Sequence, residues 1–413
     1  MTAHMGKPEA SLKRALSLPL LALYGIGVTI GAGIYVLVGK VAGIAGIYAP
    51  ISFLVAAILA GFTACSYAEL GARYPKSAGE AIYVYEAFRR RWFATLIGLM
   101  VMITGVVSSA VVIIGFVGYL HVFVVVPDWI AITALVIVLA ALAAWGIMES
   151  VLVAALLTVA ELGGLLLVVW VGAPFLADVP ARLGEMWPPP DAVVWGNILS
   201  GALLAFFAFI GFEDMANVAE EVKEPEVNLP RGVFITIIVT SLLYLLIALI
   251  SVSAIPIDRL SASEAPLALV YQTVTGRVPV LISLIAVFAV LNGALIQMIM
   301  ASRILYGTAR AGWLPTLLGY VDPRRRTPTV ATAIVAVAIL VLALWMPIVD
   351  LARFTSYVIL MAFTAVNAAL LVIRLRESAR PAGGVRFPIW VPAVGAVVCP
   401  ALALFNLMGG VAA

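Results

Sequence analysis

Charge is what this chain has least of. Of its 413 residues only 11% are Asp, Glu, Lys or Arg, against roughly 25% in a soluble domain. By contrast 64% are hydrophobic and the mean hydropathy is +1.16. No water-soluble fold could hide that much apolar surface, so the composition reads as an integral membrane protein. Cysteine is nearly absent too. Cys65 and Cys399 both lie inside apolar runs, which excludes a disulfide framework or a cysteine metal site and leaves them as packing residues. Histidine is limited to His4 and His121, with no His-Glu-x-x-His pattern and no serine in a nucleophile elbow. An intramembrane enzyme therefore finds little support, and no metal or other cofactor is expected. Nothing repeats as a channel filter would. The basic residues lie beside apolar runs, so nucleic acid is not an expected partner; the lipid bilayer is.

What is abundant is long apolar sequence. A membrane-spanning helix needs about 20 apolar residues. Runs that meet this fall near 17 to 43, 46 to 72, 92 to 125, 129 to 146, 150 to 174, 194 to 219, 232 to 255, 278 to 308, 329 to 347, 350 to 374 and 388 to 410. They predict an all-α membrane protein of about eleven spans, the fourth the weakest, and a single membrane domain over residues 1–413. All but Lys40, Arg182, Arg259, Arg277 and Arg353 of the 24 basic residues fall in segments that are cytoplasmic when the N-terminus is inside. Basic loops resist translocation, so the N-terminus is expected in the cytoplasm and the C-terminus outside. The polar start, 1 to 14, shows no cleavage pattern, and the first helix is expected to remain in the mature chain. The longest loops, near 175 to 193 and 256 to 277, would be external. Trp187 with Pro188 to Pro190 suits a stiff interfacial segment there.

Two of the runs carry a break. Tyr24 to Ile34 places Gly25, Gly27, Gly31 and Gly33 near mid-span, and in the sixth run Gly211 is followed, after Phe212, by Glu213 and Asp214. Glycine tolerates non-helical dihedrals and lets another molecule approach the backbone. An unwound stretch survives at membrane depth only where it lines a protein-enclosed or watery cavity. Free amides at the start of a half-helix attract a carboxylate, and free carbonyls at the end of another attract an ammonium or a sodium ion. A zwitterionic amino acid matches that pair. The breaks share the register Ile30-Gly31 and Ile210-Gly211, five spans apart, as expected of two halves inverted in the membrane. Gly27 and Gly31 alone suit ordinary helix packing equally well; the matching second break favours binding.

These residues resemble the amino acid, polyamine and organocation transporter superfamily, in its branch of bacterial amino acid permeases. The resemblance rests on Gly25-Ile-Gly-Val-Thr-Ile-Gly-Ala-Gly-Ile34 and on Ser66-Tyr-Ala-Glu-Leu-Gly71 followed by Pro75-Lys-Ser-Ala-Gly-Glu80 and Tyr83. It continues with Phe207-Ala-Phe-Ile-Gly-Phe-Glu213, Glu220-Glu-Val-Lys-Glu-Pro225, Asn228-Leu-Pro230, Ser302-Arg-Ile-Leu-Tyr306 and Ala309-Arg-Ala-Gly312. It implies a five-plus-five inverted repeat, about 17–174 and 194–374, with discontinuous helices 1 and 6 and an extra helix at 388–410. It also implies secondary active transport of amino acids or related organic cations across the inner, cytoplasmic membrane by alternating access, proton-coupled or by exchange. A polyamine or amine antiporter of the same fold is the alternative. By similarity, Ile30 and the amides of Gly31, Ala32 and Gly33 would hold a substrate carboxylate, the carbonyls of Phe207, Ala208 and Ile210 its amino group, and Phe209 would cap the site. The family usually has twelve spans, so the oligomeric state stays open.

Glu161 lies mid-way along the fifth run, where a lone carboxylate costs about 3 kcal/mol on insertion scales. Relatives coupled to protons are similar in having a lysine there; this chain departs from that pattern, and its carboxylate would instead carry the coupling proton or, if ionised, attract a cationic substrate. Glu69 and Arg73 form an i, i+4 pair in the favourable order, read as a helix-end device. Glu213 and Asp214 read as caps of the resuming half-helix, and Asn292, Gln297 and Ser302 as polar residues that join helices or line a pathway.

Overall fold

A computed structural model of the chain describes residues 14, 16–31, 33–76, 79–145, 151–310, 314–323, 325, 327–377 and 385–409; Ala32, expected in the site, lies outside them. The first apolar run becomes two helices, α1 (Leu18–Ile30) and α2 (Gly33–Ala45). Pro19 opens α1 at a position where a missing N–H costs nothing. A single 3-10 turn leads into α3 (Ala49–Arg73), followed by the short α4 (Gly79–Phe88), α5 (Arg91–Leu120), α6 (Asp128–Trp145) and α7 (Val151–Met186). Next comes α8 (Ala192–Phe206), whose cap Asp191 accepts the N–H groups of Val193 and Val194 through Oδ1 at 2.8 and 3.0 Å. Beyond it lie α9 (Pro225–Ala254), α10 (Ile257–Ala262), α11 (Pro266–Thr275), α12 (Val280–Arg310), α13 (Thr329–Trp345), α14 (Ile348–Arg376) and α15 (Trp390–Leu407).

Among the described residues, nine helical stretches are long and apolar enough to cross a membrane. The first of these, Leu18–Arg73, runs over 56 residues and so contains α1, α2 and α3, while α13 is a shorter apolar helix. The protein is an all-helical, multi-pass membrane protein. Leucines, isoleucines and valines such as Ile58, Ile137, Leu166, Val337 and Val397 face outward, as a lipid-exposed surface requires. Trp92, Trp129, Trp145, Trp345 and Trp390, all exposed, stand in the first or last turns of α5, α6, α13 and α15, where amphipathic rings settle at membrane interfaces.

Three expectations are corrected. The loop near 256 to 277 is mostly helix, folded as α10 and α11. The loop near 175 to 193 is also mostly helix, because α7 continues through Pro174 and Pro180 to Met186. Leu176, Val179 and Met186 pack on the core from that extension, so burial holds the helix together past prolines that would otherwise end it. After Gly211 the chain resumes as 3-10 turns, Phe212–Ala216 and Ala219–Glu221, rather than as an α half-helix. Side chains there bond to their own local backbone, which competes with helix formation: the Gly211 N–H donates to Glu213 Oε2 at 2.8 Å.

Candidate functional site

The two interrupted helices meet backbone to backbone. Gly31 adopts φ 32° and ψ −139°, and Gly211 φ 129°, conformations open to glycine alone at little cost. A Cβ on Gly211 would lie 2.7 Å from the Val28 carbonyl oxygen, and one on Gly33 would lie 2.6 Å from Ala208 Cα. Neither contact leaves room for a side chain. Tyr244 of α9 closes the junction. Its hydroxyl lies 2.9 Å from the Thr29 carbonyl oxygen and 2.9 Å from that of Ala208, so one proton is shared between the broken ends of α1 and α8.

A cavity opens beside this crossing, lined by residues 27–29, Gly31 and Gly33, by Phe207 and Ile210, and by Ser108, Val112, Asn292, Gly293, Ile296 and Gln297. Its empty volume, open mouth included, is about 490 Å³. Of the residues expected from the sequence, Gly31, Gly33, Phe207 and Ile210 line it. Ile30, Ala208 and Phe209 are buried and stand outside that lining. The Phe209 ring packs edge-on against Tyr244, with centroids 5.0 Å apart. The Gly31 N–H donates to the Gly27 carbonyl at 3.1 Å, whereas Gly33 opens α2, where first-turn N–H groups have no partners within the helix. The Phe207 carbonyl accepts the Ile210 N–H at 3.2 Å and keeps a second lone pair.

Ser108, Val112 and Ile296 could not be singled out in the sequence; Asn292 and Gln297 could, as polar residues in an apolar span, though not as neighbours of Ser108. Tyr244, flanked by leucines on both sides, carries no local signal of its role.

Glu161 is 1% exposed. One turn before it, Thr158 packs on Gly27, whose added Cβ would meet Thr158 Oγ1 at 1.9 Å, and three residues after it Gly164 packs on Tyr35 and Ile285. The Tyr35 hydroxyl donates to the main-chain oxygen of Glu161 at 2.8 Å. Both the Tyr35 and Tyr244 phenols lie within electrostatic reach of the Glu161 carboxylate. The carboxylate thus sits behind α1 at the level of its break.

Two further groups of charges flank the crossing. Glu80 of α4, Glu213 and Asp214 are each 3% exposed. Tyr67 donates its hydroxyl to Glu80 Oε1 at 3.2 Å, and Asn217 donates to Asp214 at 3.3 Å. Burial pushes the Glu80 carboxyl up to about 7, against the pull of hydrogen bonds to its own backbone and from Tyr67. At the far end of α3, Glu69 is fully buried and receives Arg374 Nε at 2.7 Å, a second bond from Arg374 Nη2, one from Arg73, and the Phe387 N–H at 3.1 Å. Arg73 also reaches Glu377. The helix-end pair seen in the sequence is therefore half of a buried network joining α3, α14 and the approach to α15.

Two interrupted helices cross beside a cavity inside a multi-pass membrane protein, where transporters place their substrate sites. The family model for amino acid permeases matches residues 16–412, and the chain belongs to that family. A branched-chain amino acid permease of Bacillus subtilis is 31% identical over 395 residues, 90% of this chain and 83% of that one. A vacuolar cationic amino acid transporter of Arabidopsis thaliana is 30% identical over 388 residues, 89% of this chain and 64% of its own, so this chain spans just under two thirds of that plant relative. An uncharacterised transporter of Mycobacterium tuberculosis is 31% identical over 404 residues, 97% of this chain and 88% of that one.

Proposed function

We propose that this protein carries an amino acid across the cytoplasmic membrane by alternating access, as a secondary active transporter. The observation that supports this most directly is the crossing of the two broken helices, Gly33 against Ala208 and Gly211 against Val28, beside the cavity. In this reading the N–H groups at the start of α2 take the substrate carboxylate, and the carbonyls of Phe207, Ala208 and Ile210 take its ammonium group. Phe209, packed on Tyr244, caps the same site. Eleven crossings follow when the 56-residue stretch is divided in two and α13 is counted with the rest. In this reading the basic loops stay on the inner side, with the N-terminus in the cytoplasm and, after eleven crossings, the C-terminus outside. The halves 17–174 and 194–374 form an inverted repeat, with α15 as an appended helix.

Glu161 is the proposed coupling group. A buried carboxylate behind the break of α1 gains a proton from one side and releases it to the other as the site changes access. The test is uptake of radiolabelled amino acids by proteoliposomes holding the full chain. Saturable uptake, trans-stimulated by internal substrate and accelerated by an inward proton gradient, is expected. Uptake linear in concentration, without trans-stimulation, would rule out a carrier.

A further inference from the structure

We propose that the side-chain part of this cavity selects a neutral amino acid bearing a hydroxyl or carboxamide, with Ser108 as its hydrogen-bond partner. The proposal rests on the transport reading above and narrows it. The α5 and α12 wall of the cavity consists of Ser108, Val112, Asn292, Gly293, Ile296 and Gln297. Among the described lining residues none is acidic or basic. The buried acids Glu161, Glu213 and Asp214 belong to α7 and to the turn after α8 rather than to this wall. A lysine or arginine side chain would thus be desolvated against a wall without a counter-charge, which a buried ion does not tolerate.

An aliphatic side chain meets the opposite objection. Serines and threonines in membrane helices satisfy their hydroxyls on the carbonyl one turn back. Ser109 does so on Gly105 at 2.9 Å and Thr104 on Met100 at 2.9 Å. Ser108, 4% exposed, has no hydrogen-bond partner among the described residues. Ser251, Ser253, Ser283 and Ser356 share that lack, but none of them lines the cavity. A leucine or valine bound there would leave the Ser108 hydroxyl dry and unpaired. A site built with a buried polar group discriminates strongly against ligands that cannot bond to it. The same wall carries the Gln297 amide, which both donates and accepts. α5 and α12 converge here: a Cβ on Gly105 would lie 3.2 Å from Gln297 Oε1, which keeps the accepted side chain small.

The experiment is a counterflow and thermal-shift panel on the purified full chain. Serine, threonine, asparagine and glutamine are set against alanine, leucine, valine, lysine and arginine. The polar neutral set is expected to give the highest uptake and the largest stabilisation. In Ser108→Ala the preference for the best polar substrate over alanine should narrow by about ten-fold, the effect of one hydrogen bond. Preference for leucine, lysine or arginine overturns this proposal while leaving the transport reading intact, and so does an unchanged preference in Ser108→Ala. Failure of every amino acid to exchange or stabilise overturns both.

Discussion

The Tyr244 hydroxyl stands 2.9 Å from the Ala208 carbonyl oxygen, and at the same distance from that of Thr29. One side chain on α9 therefore holds the unwound ends of two other helices together at the site. Tyr244→Phe removes the shared proton and leaves both carbonyls to other donors. Uptake should fall about ten-fold, with stability reduced by about 1 kcal/mol. Wild-type uptake in proteoliposomes would show that the clamp is dispensable.

Gly211 combines a positive φ with a 2.7 Å approach to the Val28 carbonyl. Gly211→Ala meets both penalties and should lower the melting temperature and reduce uptake more than ten-fold. Gly163→Ala is the comparison, because a Cβ there meets nothing within 4 Å. Equal behaviour of the two variants would mean that the crossing tolerates a side chain.

Glu161→Gln keeps the shape of a buried side chain and removes its proton exchange. The expected result is uptake that no longer follows an imposed proton gradient, while exchange of substrate for substrate persists. An uptake-against-pH curve identical to wild type in shape and height would take Glu161 out of the mechanism.

Glu80 holds its proton up to about pH 7 in the fold and releases it near 4.5 when unfolded. Between those values the folded state binds more protons, so the stability this group contributes is complete below pH 4.5 and is lost as pH rises through 7. In Glu80→Gln that part of the slope should vanish. Melting temperatures measured from pH 4.5 to 8 decide the point, and parallel curves for the variant and wild type would contradict it.

Arg374→Leu leaves fully buried Glu69 with Arg73 and the Phe387 N–H alone. The cost should be about 3 kcal/mol, as for other broken buried pairs. Arg89→Ala severs the exposed bridge to Glu86 and the guanidinium's contact with the Tyr85 ring and should cost at most about 1 kcal/mol. Denaturation of the two variants in detergent, compared with wild type, checks the difference; similar losses would mean that the buried network contributes no more than a surface pair.

Much of the architecture was legible because it depends on local properties. Hydropathy along the chain marks apolar helices wherever they pack, and the clustered glycines at 25 to 33 and at 211 announce unwinding through their own dihedral freedom. Other features were hidden for equally physical reasons. The extension of α7 past Pro174 depends on Leu176, Val179 and Met186 finding the core, a contact no local pattern reports. The fate of the chain after Gly211 turned on whether Glu213 would bond to the backbone two residues before it.

The sequence by itself determined that this protein lives in a membrane, that two of its helices are broken, and that Glu161 is a carboxylate in apolar surroundings. Only the tertiary structure decided that the breaks cross, that Tyr244 bridges them, that Arg374 meets Glu69 across 305 positions, and that Ser108 rather than Ser109 faces the cavity. The reason is geometric. Composition and glycine act on a segment by itself, whereas which polar group meets which depends on the rotation of each helix about its axis, and that rotation is set by packing against all its neighbours at once.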